Sequence, residues 1–246
     1  MLHRHASIGI ALTLLASSTF AAPVDPFDKP AANETVKLPT DPQYPSAEPK
    51  VTCSRYADFM VKQVDLGEVG AEKLSLQAAD APCERESAGE RLISDDLAGY
   101  FLGAAGSYAF FQAADGWNGG LPFVVFDAKT ATKLFDTAMA IESLSAVEVD
   151  EHGLSLEFVR NLTTSCSLYA DTDACSKRIG EETGLDAARL PDCKDVYEAE
   201  MKRTPDYADA IKALPSVIEY PVALRWAANA VTITPRDGAT RCLLPS

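Results

Sequence analysis

Six cysteines carry the most specific chemistry in this sequence: Cys53, Cys83, Cys166, Cys175, Cys193 and Cys242. No Cys-x-x-Cys spacing occurs, so the ligand pattern of a structural zinc site is missing. An even set reads instead as three disulfides, with many connectivities open. Short loops close at the least entropic cost. That pairs Cys53 with Cys83, Cys166 with Cys175, and Cys193 with Cys242. The main rival joins Cys175 to Cys193.

Histidine sets the opposite limit. His3 and His5 fall in the N-terminal leader, which leaves His152 alone, in a predicted turn. A Ser-His-Asp or Cys-His nucleophile would depend on that single residue, and a site with two or three histidine ligands cannot be built. Gly67-Glu68-Val69-Gly70-Ala71-Glu72-Lys73 lacks phosphate-loop spacing, and no Ser or Thr follows Lys73. Asp171-Thr172-Asp173 and Asp115-Gly116-Trp117-Asn118-Gly119 offer oxygens but neither a twelve-residue calcium loop nor its closing Glu. No metal or cofactor is therefore expected. Paired carboxylates remain open as a hydrolytic device, since glycoside cleavage needs only two positioned acids. Glu219, inside a predicted strand, reads as outward-facing by alternation.

The candidate ligand-binding residues are Asp115, Trp117 and Asn118. An aromatic in a glycine-rich turn can stack on a sugar ring while Asp115 and Asn118 bond its hydroxyls. The competing expectation folds Trp117 back onto the aromatic strands around it.

The elements that must position these residues are mostly strands. Residues 98–136 hold Tyr100, Phe101, Tyr108, Phe110, Phe111, Trp117, Phe123 and Phe126, punctuated by glycines. The pattern predicts an antiparallel meander with strands near 98–103, 107–113, 121–127 and 132–136. Within it, the stretch 126–135 resembles the hairpin of propeller blades. It occurs once, where a propeller needs about four copies or more. Phe59-Met60-Val61 with Val64, and Leu74 with Leu76, predict earlier strands. Val147 and Val149 lead through Asp150-Glu151-His152-Gly153 into the alternating run Leu154, Leu156, Phe158.

Between 171 and 214 the signals become helical. Asp171 or Thr172 can cap a helix that Gly184 ends, Asp192–Arg203 is a second, and Thr204-Pro205 opens a third. Strands return at 217–226, 230–234 and 240–244. Pro221 suggests an edge strand or a bulge, and Asp237-Gly238 a hairpin turn. The predicted fold is mainly β with an inserted helical segment (α+β), a meander or sandwich-like sheet braced by disulfides.

The ends of the chain complete the layout. Met1–His5 carry Arg4, Ile8–Ala16 are nearly all apolar, and Thr19 and Ala21 are small, the layout of a secretory signal peptide cut after Ala21. The apolar run is short against about 30 Å of membrane, so no span is expected after cleavage. Residues 22–50 hold seven prolines and few large apolar side chains, which predicts a disordered or extended tail, a spacer or docking strand if it has a function, that a protease would trim near residue 50. Residues 51–246 form the predicted single β-rich domain.

The chain has 22 Lys plus Arg against 36 Asp plus Glu, a formal net charge of -14. A surface of that sign argues against nucleic acid and anionic membrane as partners. These readings converge on an exported, periplasmic or secreted, non-catalytic protein that binds a small ligand, a carbohydrate or another protein. The alternative is a secreted hydrolase using paired carboxylates.

Overall fold

The computed structural model describes residues 25–141 and 143–245. The leader expected at 1–21 lies outside the described residues. Strands β1 (Ala32–Lys37), β2 (Lys50–Arg55), β3 (Met60–Asp65), β4 (Lys73–Gln77) and β5 (Arg91–Leu92) form one antiparallel meander in chain order. A second antiparallel sheet holds β6 (Tyr100–Ala105), β7 (Tyr108–Gln112), β8 (Gly120–Asp127), β9 (Thr132–Ala140), β10 (Ala146–Asp150), β11 (Gly153–Thr163), β12 (Val217–Ala227), β13 (Ala230–Pro235) and β14 (Arg241–Leu243). Its order is β13-β12-β11-β9-β8-β7-β6, with β10 also on β11 and β14 also on β12. Helices α1 (Thr172–Thr183), α2 (Lys194–Arg203) and α3 (Ala208–Ala213) lie between β11 and β12 in the chain. The fold is thus mainly β with a helical insert.

Strands β7 and β8 are continuous apolar runs because both their faces are covered. Side chains alternate along a strand. Phe111, Val124 and Phe126 pack with Phe59, Leu74 and Leu76 of the smaller sheet. Phe110, Phe123 and Val125 point the other way, into a cluster shared with Ile179, Tyr197 and Ile211 of the helices. The large sheet is strongly curled. Tyr108 on β7 and Trp226 on β12 are separated by three strands, yet their ring centroids lie 5.7 Å apart. Flat strands spaced about 4.8 Å apart would hold them well out of reach.

The helical signals find their places. Asp171 accepts a hydrogen bond from Ala174 N at 3.1 Å, and Gly184 closes α1 in the left-handed conformation. Thr204 does not cap the third helix. Its hydroxyl donates back to Glu200 O at 3.0 Å, and a 3-10 turn at Pro205–Tyr207 precedes α3. The three disulfides are Cys53–Cys83, Cys166–Cys175 and Cys193–Cys242. They tie β2 to the loop after β4, the exit of β11 to α1, and the start of α2 to β14.

Four expectations are corrected. Residues 25–37 are built into the fold and do not form a disordered tail. Strand β1 pairs with β2 over six residues, Asp28 N donates to Ala104 O at 2.8 Å, and the Phe27 ring lies 5.1 Å from that of Phe110. A Cβ on Gly103 would come within 2.3 Å of the Phe27 ring, so glycine makes this approach possible. Pairing onto an existing sheet edge needs backbone groups, not large apolar side chains, which is why composition misses β1.

Asp237-Gly238 is not a hairpin turn, because β13 and β14 both pair with β12, at Val222–Ala227 and Val217–Glu219 respectively. Pro221 therefore sits inside a central strand, at the gap between these two neighbours, where its carbonyl accepts from Arg236 N at 2.8 Å. Glu219 is not outward-facing. It is 2% exposed and accepts from Arg241 Nε at 2.9 Å, because β14 lies against this half of β12.

One charged side chain is fully enclosed in the smaller sheet. Lys62 on β3 is 0% exposed. Its ammonium donates to Glu84 O at 2.8 Å, Ser87 Oγ at 3.1 Å and the carboxylate of Glu90. Burial alone would raise the Glu90 carboxyl. The bonds from Lys62 and from Ser87 N and Oγ outweigh it and hold the group down to about 2.

Candidate functional site

The segment between β7 and β8 presents Trp117. Trp117 N donates to Gly120 O at 2.8 Å and Gly120 N returns a bond to Trp117 O at 2.9 Å. The two residues between them, Asn118 and Gly119, have φ of 50° and 76°. Positive φ at both central positions is the two-residue turn that Asn-Gly favours. The turn is anchored from below. Asn118 Nδ2 donates to Thr163 Oγ1 at 2.8 Å, and Asn161 Nδ2 donates to Asn118 O at 3.1 Å. Gly120 lies so close to Asn161 that a Cβ would come within 2.5 Å of its side chain. The indole itself is 68% exposed. Trp117 is therefore held outward, and the expectation that it folds back onto the aromatic strands is not met.

Beside it lies an open cavity of about 370 Å³ lined in part by Trp117, Pro122, Asp136, Arg160, Asn161 and Thr163. Strands β9 and β11 share a single ladder pair, Met139 with Arg160. The cavity lies beside the point where that ladder stops. Arg160 Nη1 donates to the hydroxyl of Tyr220 at 3.0 Å, and Tyr220 is fully buried. Asp136 pairs with Lys133 at 2.7 Å, and Lys133 also reaches Asp95 at 2.8 Å. The hydrogen bonds that Lys133 donates, to Asp136 first and then to Asp95, push its ammonium pKa up. Burial would raise the Asp95 carboxyl, but the Lys133 bond and Leu97 N bring it down overall.

The three sequence-predicted ligand residues separate. Trp117 lines the cavity. Asn118 turns inward and supports the turn. Asp115 is exposed and lies outside the lining. Not Asp115 and Asn118 but Asp136, Arg160, Asn161 and Thr163 line the cavity with Trp117. Only a faint signal marks them: polar Asn161 and Arg160 interrupt an apolar strand. His152 is in a turn, exposed, with Nε2 3.2 Å from Glu151. Among the described residues no group of three His, Cys, Asp or Glu is placed to hold a metal, and no helix is long and apolar enough to cross a membrane.

A larger opening of about 660 Å³ lies under the proline-rich segment 39–49, beside Tyr44, Leu66 and Arg85. Arg85 is committed to Glu72, at 3.1 Å. The Trp117 cleft is the stronger candidate, because it combines an exposed aromatic with polar groups fixed on strands. No family model, curated protein or solved structure matches this chain.

Proposed function

We propose that this chain is an exported, non-catalytic binding protein that holds a small carbohydrate in the Trp117 cleft. The observation that carries the reading is the exposed indole, fixed on a tight turn over a cavity edged by Asp136, Arg160, Asn161 and Thr163. A sugar presents an apolar C–H face to such a ring and hydroxyls to such side chains. The leader-like N-terminus and three cysteine pairs support an oxidising destination, the periplasm or the exterior.

The alternative, hydrolysis by paired carboxylates, has less behind it here. Asp95 and Asp136 share Lys133, and Asp95 is shifted down, against the direction a proton-donating acid needs.

The test is binding of purified mature protein to an array of neutral and acidic glycans, repeated with Trp117→Ala. Binding that Trp117→Ala reduces about tenfold or more, without turnover, supports the reading. Binding that survives the substitution moves the site elsewhere. Turnover lost on replacing a single Asp or Glu overturns the non-catalytic assignment.

A further inference from the structure

Arg160 gives the cleft a chemical preference. Its guanidinium carries five N–H donors. One bond, from Nη1, goes to Tyr220 Oη. Among the described residues no carboxylate lies within ion-pair distance of Arg160. The acid that shares the cleft, Asp136, pairs with Lys133, which it shares with Asp95, and not with Arg160. Among the described residues Arg160 thus gives the cleft a guanidinium in no carboxylate ion pair, anchored on a buried tyrosine beside an exposed aromatic face.

The surroundings sharpen this. The chain as a whole has a formal charge of -14, which repels anions at long range. Salt screens that field over about 8 Å under physiological conditions. A ligand already seated on Trp117 then meets the local charge of Arg160, and the planar guanidinium matches a carboxylate through two parallel bonds.

We propose that the cleft selects acidic sugars of the uronate type, the ring lying on Trp117 and the carboxylate on Arg160. The inference rests on the carbohydrate reading of the same cleft, and it adds the charge of the ligand and the residue that recognises it. Arg160 is then the specificity-determining residue, and Tyr220 its positioning residue.

The test uses oligosaccharides of galacturonate and glucuronate, each paired with its methyl ester, which keeps the ring and removes the charge. Wild-type protein should bind each acid about tenfold or more tightly than its ester. Added salt should narrow that gap. Arg160→Gln should abolish the gap by weakening acid binding far more than ester binding. Arg160→Lys keeps the charge without the fork and should fall between. Tyr220→Phe should weaken acid binding alone, and it covers the case in which Arg160→Gln fails to fold. Acid and ester bound equally, with both lost in Trp117→Ala, would overturn the acidic preference and leave the carbohydrate reading standing. A preference for the ester also overturns it. No binding of any pair, and none of other glycans on the array, removes both readings.

Discussion

Asn118 Nδ2 donates to Thr163 Oγ1 at 2.8 Å, so the turn that exposes Trp117 is held by a strand 45 residues away in sequence. Asn118 is 3% exposed, and its amide cannot turn to water without moving the turn. Thr163→Val removes the acceptor and should cost about 1–3 kcal/mol. Asn118→Ala should cost more, because alanine is also strained at φ 50°. Denaturant unfolding measures both. Equal stability of all three proteins would show that this bond does not hold the turn.

The buried Lys62 makes a sharper prediction. Lys62→Met leaves the enclosed Glu90 carboxylate only the second cation Lys73, at 3.3 Å, and should destabilise by about 3 kcal/mol, the low end for a broken buried pair. Replacing both residues with apolar ones should cost less than the single change, since no charge is then stranded. A double variant as unstable as the sum of the singles would mean the pair is not coupled.

Acid should expose the same pair. The Glu90 carboxyl is lowered in the folded chain from 4.5 to about 2. A depressed carboxyl stabilises the fold above its unfolded value, and that contribution fades as pH falls from 4.5 through about 2. The contribution is of order 3 kcal/mol. Glu90→Gln should flatten the loss of stability across this window. A wild-type slope retained in the variant would assign the acid sensitivity to other carboxyls.

Phe27 predicts where the resistant body begins. Its ring covers Gly103 and meets Phe110, so removing residues up to 50 would take away this ring together with β1. Limited proteolysis should therefore leave a fragment starting before Ala32. Phe27→Ala should cost about 2–4 kcal/mol. A stable fragment starting near residue 50 would contradict the role of this segment.

The disulfides should rank by the length of chain they close. Cys193–Cys242 spans 49 residues and Cys166–Cys175 spans 9. In the loop-entropy account, losing the first costs about 4 kcal/mol and the second about 2.5 kcal/mol. Paired serine variants compared by thermal unfolding test the order. The reverse order would mean that native packing around Cys166 and Cys175, not loop closure, dominates.

The regular elements were legible because their signals are local. Alternation in Leu154–Phe158, apolar density in Phe110–Phe126, and the Asp171 and Gly184 caps each placed an element within a few residues. The cysteine pairs followed from proximity in the chain. What stayed hidden depends on partners distant in sequence. Glu219 reads as a surface residue until Arg241 and β14 cover it, and Pro221 reads as an edge until two strands meet end to end beside it. At the cleft, Trp117 could be found by its neighbours in the turn. Arg160 and Asp136 could not, since the cavity that joins them forms only where β9 and β11 come together.

The bridges join cysteines that follow one another in the chain: first with second, third with fourth, fifth with sixth. A polypeptide emerging from its N-terminus meets each correct thiol partner before the next candidate has appeared. Oxidation that keeps pace with emergence thus reaches the native set without a shuffling enzyme, whereas oxidation of the whole reduced chain at once has scrambled alternatives to discard.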